Sequence, residues 1–350
     1  MARVLVVGDP YYSSEAFARV FAPLSWADGV AYAEVEEAGD FVPRTPSELA
    51  IREFIGSPEQ VIDRLDEGCE ILVVHGAPVT DEVFAAAPGL RLVCCARGGP
   101  VNVDIEAASR RGIPVVVTPG KNADSVADLT IAFLIMLARH VPRAAADARR
   151  DGKIGASAFE GAGYFGHEVA GTAVGLVGYG LVARAVRRQA AALGATIVAF
   201  DPFVDAGVLR ADGVERVDEL EELLAAADLV SVHARATKEN ENLFDAGRFR
   251  QMKHGAGFVN TARETLVDET ALLAALEEGR LSGAALDVLR PPPIPGEPHP
   301  LTRREDVIVT PHVGGATYET LARGARMVAD EVERYAAGEP LRHVFNPAPA

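Results

Sequence analysis

Short apolar runs alternate along this chain with stretches in which apolar residues recur every three or four positions. Val4 to Val7, Ile71 to Val74, Leu92 to Cys95 and Val115 to Val117 are runs of strand length. Between them, Glu82 to Ala87 and Ile105 to Arg111 carry helical spacing. Residues 40 to 60, broken by Pro43, Pro46 and Pro58, predict a loop with one short helix. Asp124 to Ala148 lacks glycine and sets Val126, Leu129, Phe133, Leu134 and Leu137 at helical spacing, which predicts one long helix. Residues 150 to 168 are glycine-rich and predict an irregular loop. From 172 the alternation restarts, with strands expected at 172 to 177, 196 to 200, 228 to 232, 256 to 260, 282 to 286 and 307 to 310, then a helix from Tyr318 to Ala337. Runs that are apolar throughout imply strands covered on both faces, as in parallel α/β architecture.

The restart carries a specific signal. Thr172 to Val177 is a strand-like run, Gly178, Tyr179 and Gly180 break it, Leu181 and Val182 open a helical pattern, and a second run ends on Asp201, 23 positions after Gly178. This order of strand, glycine turn, helix, strand and acid is the context a dinucleotide fingerprint requires. Gly178 permits a sharp turn, and Gly180 lets a pyrophosphate approach backbone N–H groups. Ala183 replaces the usual third glycine with a side chain still small enough for close packing. A carboxylate at Asp201 can accept the ribose hydroxyls and would repel a 2′-phosphate, so NAD is expected as the cofactor. Six strands complete such a nucleotide domain, so the last helix is expected to return to the first domain. The expected division is therefore 1–122 plus 318–350 as one discontinuous domain and 123–317 as the other.

Length and charge narrow the partners. A chain of 350 residues is long enough for about two domains. Its formal net charge of −16 argues against nucleic acid or an anionic membrane as partner, since phosphates would be repelled over most of the surface. No apolar stretch approaches the roughly 18 residues of a membrane span, and the amino-terminal run has no long apolar segment of the signal-peptide kind. Cys69, Cys94 and Cys95 show no metal-ligand spacing and read as buried thiols in a reducing compartment, so no metal and a cytoplasmic location are expected.

Chemistry-bearing residues gather at expected strand ends. Thr261, Ala262 and Arg263 follow one apolar run, Asp287 ends the next, and His312 and Gly314 follow the third. In a doubly wound sheet the carboxyl ends of strands face the cofactor crevice. Arg263, Asp287 and His312 each have a plain alternative as a surface charge, a strand-end cap or a turn residue, and their shared location is what gives them weight. In the first domain Arg97, Gly98 and Gly99 follow a strand, where two glycines can offer N–H groups to an anion.

These stretches together resemble the D-isomer-specific 2-hydroxyacid dehydrogenase family, phosphoglycerate dehydrogenase-like members included. NADSVADL (122 to 129), VSVHARAT (230 to 237), MKHGAGFVNTAR (252 to 263), DETALLAALEEGRLSGAALDV (268 to 288), TPHVGGAT (310 to 317) and FNP near the end carry the likeness. The resemblance implies two doubly wound parallel-sheet domains, a flavodoxin-like substrate domain and a Rossmann NAD-binding domain. It implies hydride exchange between NAD(H) and C2 of a small 2-hydroxy or 2-oxo acid, by a homodimer built on the nucleotide domain. His312 would be the acid/base on the C2 oxygen, Arg263 the binder of carboxylate and carbonyl, and Asp287 the acceptor of the nicotinamide carboxamide. The fingerprint residues, with His233, Ala234, Arg235, Thr261, Ala262 and Gly314, would line the cofactor, and the 97 to 99 loop would hold the carboxylate.

Two departures stand out. Where the family places a glutamate beside the catalytic histidine, this chain has Pro292, and Glu297 falls downstream in a surface-like loop. A carboxylate there would stabilise imidazolium and fix its tautomer. Its loss leaves open an alternative function, an NAD(H)-binding sensor or corepressor-like protein with weak or no turnover. Arg97 is the other departure; it reads either as half of a salt bridge to a nearby Asp or as a reader of a second negative or strongly polar group, as on a phosphorylated or polyhydroxylated acid. Loops near Tyr11, Tyr12, Arg97 and Tyr164 are expected to set substrate choice.

Overall fold

A computed structural model describes residues 3–37, 42–66, 68–152, 158–294 and 296–346. The chain divides into two compact units, Met1–Lys121 with Thr317–Ala350 as unit 1, and Asn122–Ala316 as unit 2.

Unit 1 is built on a parallel sheet of strands β1 (Arg3–Gly8), β2 (Val30–Glu34), β3 (Cys69–Val74), β4 (Leu92–Cys95) and β5 (Val115–Val116), in the order β2-β1-β3-β4-β5. That is the flavodoxin-like order, with a switch point beside β1. β1, β3 and β4 are almost wholly buried, which is why they read as apolar runs. β2 was not expected, and its burial pattern explains this: an edge strand, half-exposed, has no need of an apolar run. Helix Tyr318–Ala336 packs in unit 1, where Ala325, Val328 and Val332 join Phe17, Phe21 and the β1 and β3 side chains Val4, Val6, Ile71 and Val73 in one core. Near the end, Asn346 accepts from Val115 N at 2.7 Å and donates to Ile113 O at 2.9 Å, fixing the last described residues beside β5. All three cysteines are buried and free.

Unit 2 carries β6 (Ala173–Val177), β7 (Thr196–Phe200), β8 (Glu215–Arg216), β9 (Leu229–Val232), β10 (Ala256–Asn260), β11 (Leu281–Leu286) and β12 (Val307–Val309), all parallel. Their order, β12-β11-β10-β9-β6-β7-β8, reverses direction at β6, the strand that runs into the glycine turn. β8 is the strand the sequence did not announce, two residues of which neither is apolar.

The single long helix expected over 124 to 148 is in fact two, Ala123–Ala138 and Val141–Asp151, bent by 66°. Pro142 lies in the first turn of the second helix, where a missing N–H costs nothing, and His140 takes the left-handed conformation at φ 50° to make the break. No single helix among the described residues is long and apolar enough to cross a membrane. Of the loop expected at 150 to 168, residues 153–157 lie outside the described residues; Ala158–Tyr164 forms a 3₁₀ turn.

Candidate active site

The glycine turn of unit 2 is shaped by close backbone approach. Gly178 sits at φ 89°, and a Cβ there would lie 2.6 Å from Ala234 N and 2.8 Å from His233 C. His233 and Ala234 therefore form the wall against which the turn is pressed, with His233 N donating to Val177 O at 2.7 Å. Gly180 is the N-cap of helix Leu181–Ala192; no side chain caps that end, and a Cβ at Gly180 would meet no atom within 4 Å. The first-turn N–H groups are thus left for an anion to take. Ala183 is fully buried and packs the helix on the sheet, while Leu181 is exposed and Val182 half-buried. Asp201 reaches the same turn from the end of β7: its carboxylate accepts from Tyr179 N at 2.7 Å, Phe203 N at 2.8 Å and Val204 N at 3.2 Å. The Tyr179 ring is buried and its hydroxyl donates to Asp212 at 3.0 Å, so only its backbone serves the turn. An open N–H cradle, room at Gly180 and an acid beside the turn fit a dinucleotide.

Beyond β9, His233 is a satisfied imidazole, 2.9 Å from Ser231 Oγ, and burial pushes its pKa down to about 3. It is neutral throughout the working range. Asn240 closes the following turn on Arg235 O and Thr237 N, leaving the Arg235 side chain exposed.

At the end of β10, buried Asn260 acts as a clamp, accepting from Ala262 N at 3.0 Å and donating to Arg263 O at 2.9 Å. Thr261 Oγ1 is 3.0 Å from Thr130 Oγ1 of helix Ala123–Ala138. The Arg263 guanidinium is exposed and turned onto Ala262 O at 2.7 Å, with no carboxylate partner among the described residues.

The end of β11 does the same for the histidine loop. Asp287 is buried, and its carboxylate accepts from Thr310 Oγ1 at 2.6 Å, Val313 N at 2.8 Å and Gly314 N at 2.8 Å. Its carbonyl accepts from His312 N at 2.9 Å. His312 is held in the left-handed region at φ 56°, a strained conformation for a non-glycine residue that this collar of bonds sustains. Asp287 is therefore first of all the anchor of the His312 loop, a task the sequence did not show. A Cβ on Gly314 would press to 2.8 Å from the Asp287 carboxylate, so the glycine is part of the same anchor.

The His312 imidazole is exposed, and no carboxylate bonds it among the described residues. Glu297 instead lies 3.7 Å from Arg303. A part-buried imidazole–carboxylate pair does exist in unit 2, Glu269 with His299 at 2.9 Å, but it serves the loop after β11, where Glu269 also accepts from Arg290 N.

In unit 1, Arg97 is paired, although with a glutamate where an aspartate was expected. Its guanidinium donates to Glu53 Oε2 and to Glu53 O, each at 2.6 Å. Gly98 and Gly99 have open space around them. Tyr12 is a core residue, buried and donating to Leu321 O, whereas Tyr11 is exposed. Tyr164 lies elsewhere: its hydroxyl donates to Asp147 at 2.6 Å, and it lines a cavity of about 730 Å³ with Ser282 and Asp306 at the amino edge of the unit 2 sheet, the opposite edge from Arg263 and His312. Three polar residues at carboxyl strand ends of unit 1, Asp9, His75 and Lys121, were missed. The signal was present, a polar residue directly after each of two apolar runs, Val4 to Val7 with Gly8 and Ile71 to Val74. Among the described residues no cluster of His, Cys, Asp and Glu could hold a metal ion.

Comparison with known proteins identifies the family. The family model for the NAD binding domain of D-isomer specific 2-hydroxyacid dehydrogenases matches residues 131–314, inside unit 2. The chain is 34 % identical over 311 residues to D-3-phosphoglycerate dehydrogenase of Archaeoglobus fulgidus, covering 89 % of this chain and 57 % of that one. It is 38 % identical over 291 residues to glyoxylate reductase of Korarchaeum cryptofilum, covering 83 % and 86 %. The solved TT0316 protein of Thermus thermophilus superposes with a TM-score of 0.76 at 31 % identity, covering 98 % of this chain and 99 % of that one. The chain spans little more than half the length of the phosphoglycerate dehydrogenases it matches. The match to the family's NAD binding domain falls within unit 2, and the chain belongs to the D-isomer specific 2-hydroxyacid dehydrogenase family.

Proposed function

We propose that the protein interconverts a D-2-hydroxy acid and its 2-oxo acid by hydride transfer. The N–H groups beyond Gly180 would hold the pyrophosphate of NAD(H) and Asp201 its ribose, and the cofactor when bound would supply or accept the hydride at C2. His312 takes the proton of the C2 hydroxyl as the acid is oxidised and returns it as the oxo acid is reduced, since an imidazole nitrogen can both accept and donate a proton. Arg263 binds the substrate carboxylate and polarises the C2 oxygen; its planar fork can serve two oxygens at once. The Gly98 and Gly99 N–H groups are assigned to the carboxylate. The observation that carries this reading is the pair of exposed side chains, Arg263 and His312, on backbone turns clamped by Asn260 and Asp287 at neighbouring strand ends of the sheet that bears the glycine turn.

The test is NADH oxidation against a panel of 2-oxo acids. Turnover on at least one is expected, and His312→Ala should lower it by about 10²–10⁴-fold. The lack of an acid on His312 favours one second reading, an NAD(H) sensor; tight NADH binding with no turnover on any acid would establish that instead.

A further inference from the structure

Helix Ala123–Ala138 packs over β10 and β11 within unit 2 and touches both turns that carry Arg263 and His312. Its carboxyl-terminal half is seated where two glycines admit it: a Cβ on Gly257 would lie 3.5 Å from Leu137 Cβ, and one on Gly283 3.2 Å from Leu137 Cδ2. Its amino-terminal half reaches the carboxyl edge of the same sheet. A Cβ on Gly314, in the His312 loop, would lie 3.4 Å from Val126 Cγ2 and 3.6 Å from Leu129 Cδ2. One residue beyond Leu129, Thr130 Oγ1 is 3.0 Å from Thr261 Oγ1, two residues before Arg263.

The direction of that last bond follows from counting protons. Thr130 is fully buried, and the single hydrogen of its hydroxyl goes to Val126 O at 2.8 Å, one turn back along the helix. The contact between the two threonines therefore runs the other way, with Thr261 donating to a lone pair of Thr130. Thr261 is itself buried, and no other acceptor meets its hydroxyl among the described residues. Removing the Thr130 oxygen would leave a buried donor unpaired.

The consequence falls on Arg263. Asn260 ties the turn to itself through Ala262 N and Arg263 O, but only the Thr261 hydroxyl ties it by a side chain to the helix. The Arg263 guanidinium folds back onto Ala262 O at 2.7 Å, so its place is set by where residues 261 and 262 stand. Val126, whose carbonyl takes the Thr130 hydrogen, is also the residue packed towards Gly314. One helical turn thus joins the Arg263 side of the sheet edge to the His312 side.

We infer that Thr130 is a positioning residue for hydride transfer: as acceptor of the Thr261 hydroxyl it holds the turn before Arg263 against the helix that backs the His312 loop, and so sets the spacing of the two side chains. This rests on the roles proposed for Arg263 and His312.

The experiment separates the hydroxyl of Thr130 from its shape. Thr130→Val keeps the volume and removes the acceptor, whereas Thr130→Ser keeps the acceptor and removes a methyl group from the core. Each full-length variant is measured for NADH oxidation with the best 2-oxo acid of the panel, for NADH affinity by fluorescence titration and for its urea unfolding midpoint. Thr130→Val should lower kcat/KM by about tenfold, through a lower kcat as well as a higher KM, because a small misplacement of a reacting group is costly. NADH affinity, set at the glycine turn, should move by no more than about twofold. Thr130→Ser should stay within about threefold of the unchanged chain in kcat/KM, since the hydroxyl pair survives, while its midpoint falls as the methyl is lost. Activity that follows the hydroxyl while stability follows the methyl is the expected result. Activity that tracks the midpoint in both variants, kcat/KM unmoved by Thr130→Val, or NADH affinity falling in step with kcat/KM overturns the positioning role and leaves hydride transfer standing. No turnover by the unchanged chain on any acid of the panel overturns both.

Discussion

The first strand–turn–helix of each unit occupies the same topological place, and the two are finished in opposite ways. In unit 1, β1 ends on Gly8 and the following helix, Ser14–Phe21, is closed: Ser13 Oγ accepts from Ala16 N, and Glu34 accepts from Ser14 N at 2.6 Å. In unit 2, β6 ends at the glycine turn and helix Leu181–Ala192 starts uncapped. The contrast continues along both sheets. Unit 1 pairs strand-end Asp9 with His75 and Arg97 with Glu53 of a loop, whereas unit 2 uses Asn260 and Asp287 to hold backbone and leaves Arg263 and His312 exposed. Strand-end side chains held open, as in unit 2, can react.

Asp287 is where breaking this contrast should do most. Asp287→Ala removes an acceptor from Thr310 Oγ1 and from two N–H groups, which should destabilise unit 2 by about 3 kcal/mol or more and release the strained His312 backbone. Denaturant unfolding with and without NADH measures the first effect. Asp287→Asn keeps part of the collar and should lower kcat more than it raises KM; a purely structural anchor, indifferent to His312, would leave kcat per folded molecule unchanged.

Closing the open turn is the next largest perturbation. Gly180 has φ −80° and ψ −164°, a conformation any residue adopts, so Gly180→Asp should cap the helix as Ser13 does in unit 1. Stability should hold or rise by a few tenths of a kcal/mol, roughly the Gly-to-Asp difference at an N-cap, while the added carboxylate repels pyrophosphate and takes its N–H groups. NADH affinity should fall by about 100-fold, roughly 2.7 kcal/mol. Titration of NADH fluorescence together with a thermal melt would show both signs at once, and unchanged affinity would mean that the uncapped end is not the cofactor cradle.

How much of this the sequence disclosed follows from where each feature sits. β9 and β10 are buried along their whole length, so they read as mainly apolar runs interrupted only by Ser231 and Asn260, with His233 directly after one and Arg263 three positions after the other. β2 and β8 are edge strands with exposed or polar positions and left no such trace. The clamps of Asn260 and Asp287 were illegible for another reason, since most of their partners are backbone groups, which every residue carries. Asp9 and His75 are 66 positions apart and meet only because β1 and β3 are neighbours in the sheet. The break at His140 was legible as well, because Pro142 is a plain stop to the preceding helix.

Paired and unpaired imidazoles should also differ in their response to acid. The folded-state pKa of His233 is down to about 3, while an unfolded histidine titrates near 6.5. Below about 6.5 the unfolded chain takes up a proton that the folded chain refuses, so this contribution is neutral above that pH and destabilises progressively as pH falls towards 3. Between pH 7 and 5 it should remove on the order of 1–2 kcal/mol. His233→Gln should flatten that loss in urea unfolding at the two pH values. His75→Gln should flatten it less, because Asp9 opposes the effect of burial at His75; equal flattening would erase the distinction between the units.

Arg97 and Glu53 give the smallest effect and the finest discrimination. The pair is partly exposed, so Glu53→Gln should cost no more than about 1 kcal/mol of stability. The functional consequence depends on whether the pair, as distinct from Arg97 alone, sets the charge of the unit 1 edge. If it does, Glu53→Gln leaves a guanidinium no longer neutralised beside Lys121 and a neutral His75, and kcat/KM for a phosphorylated 2-oxo acid should rise a few-fold relative to the hydroxylated one. Glu53 also sits at φ 51°, so Glu53→Gly should relieve that conformation while freeing Arg97 in the same way. Two variants with different backbones and the same shift in substrate ratio would tie the shift to charge; a shift in only one would tie it to the loop.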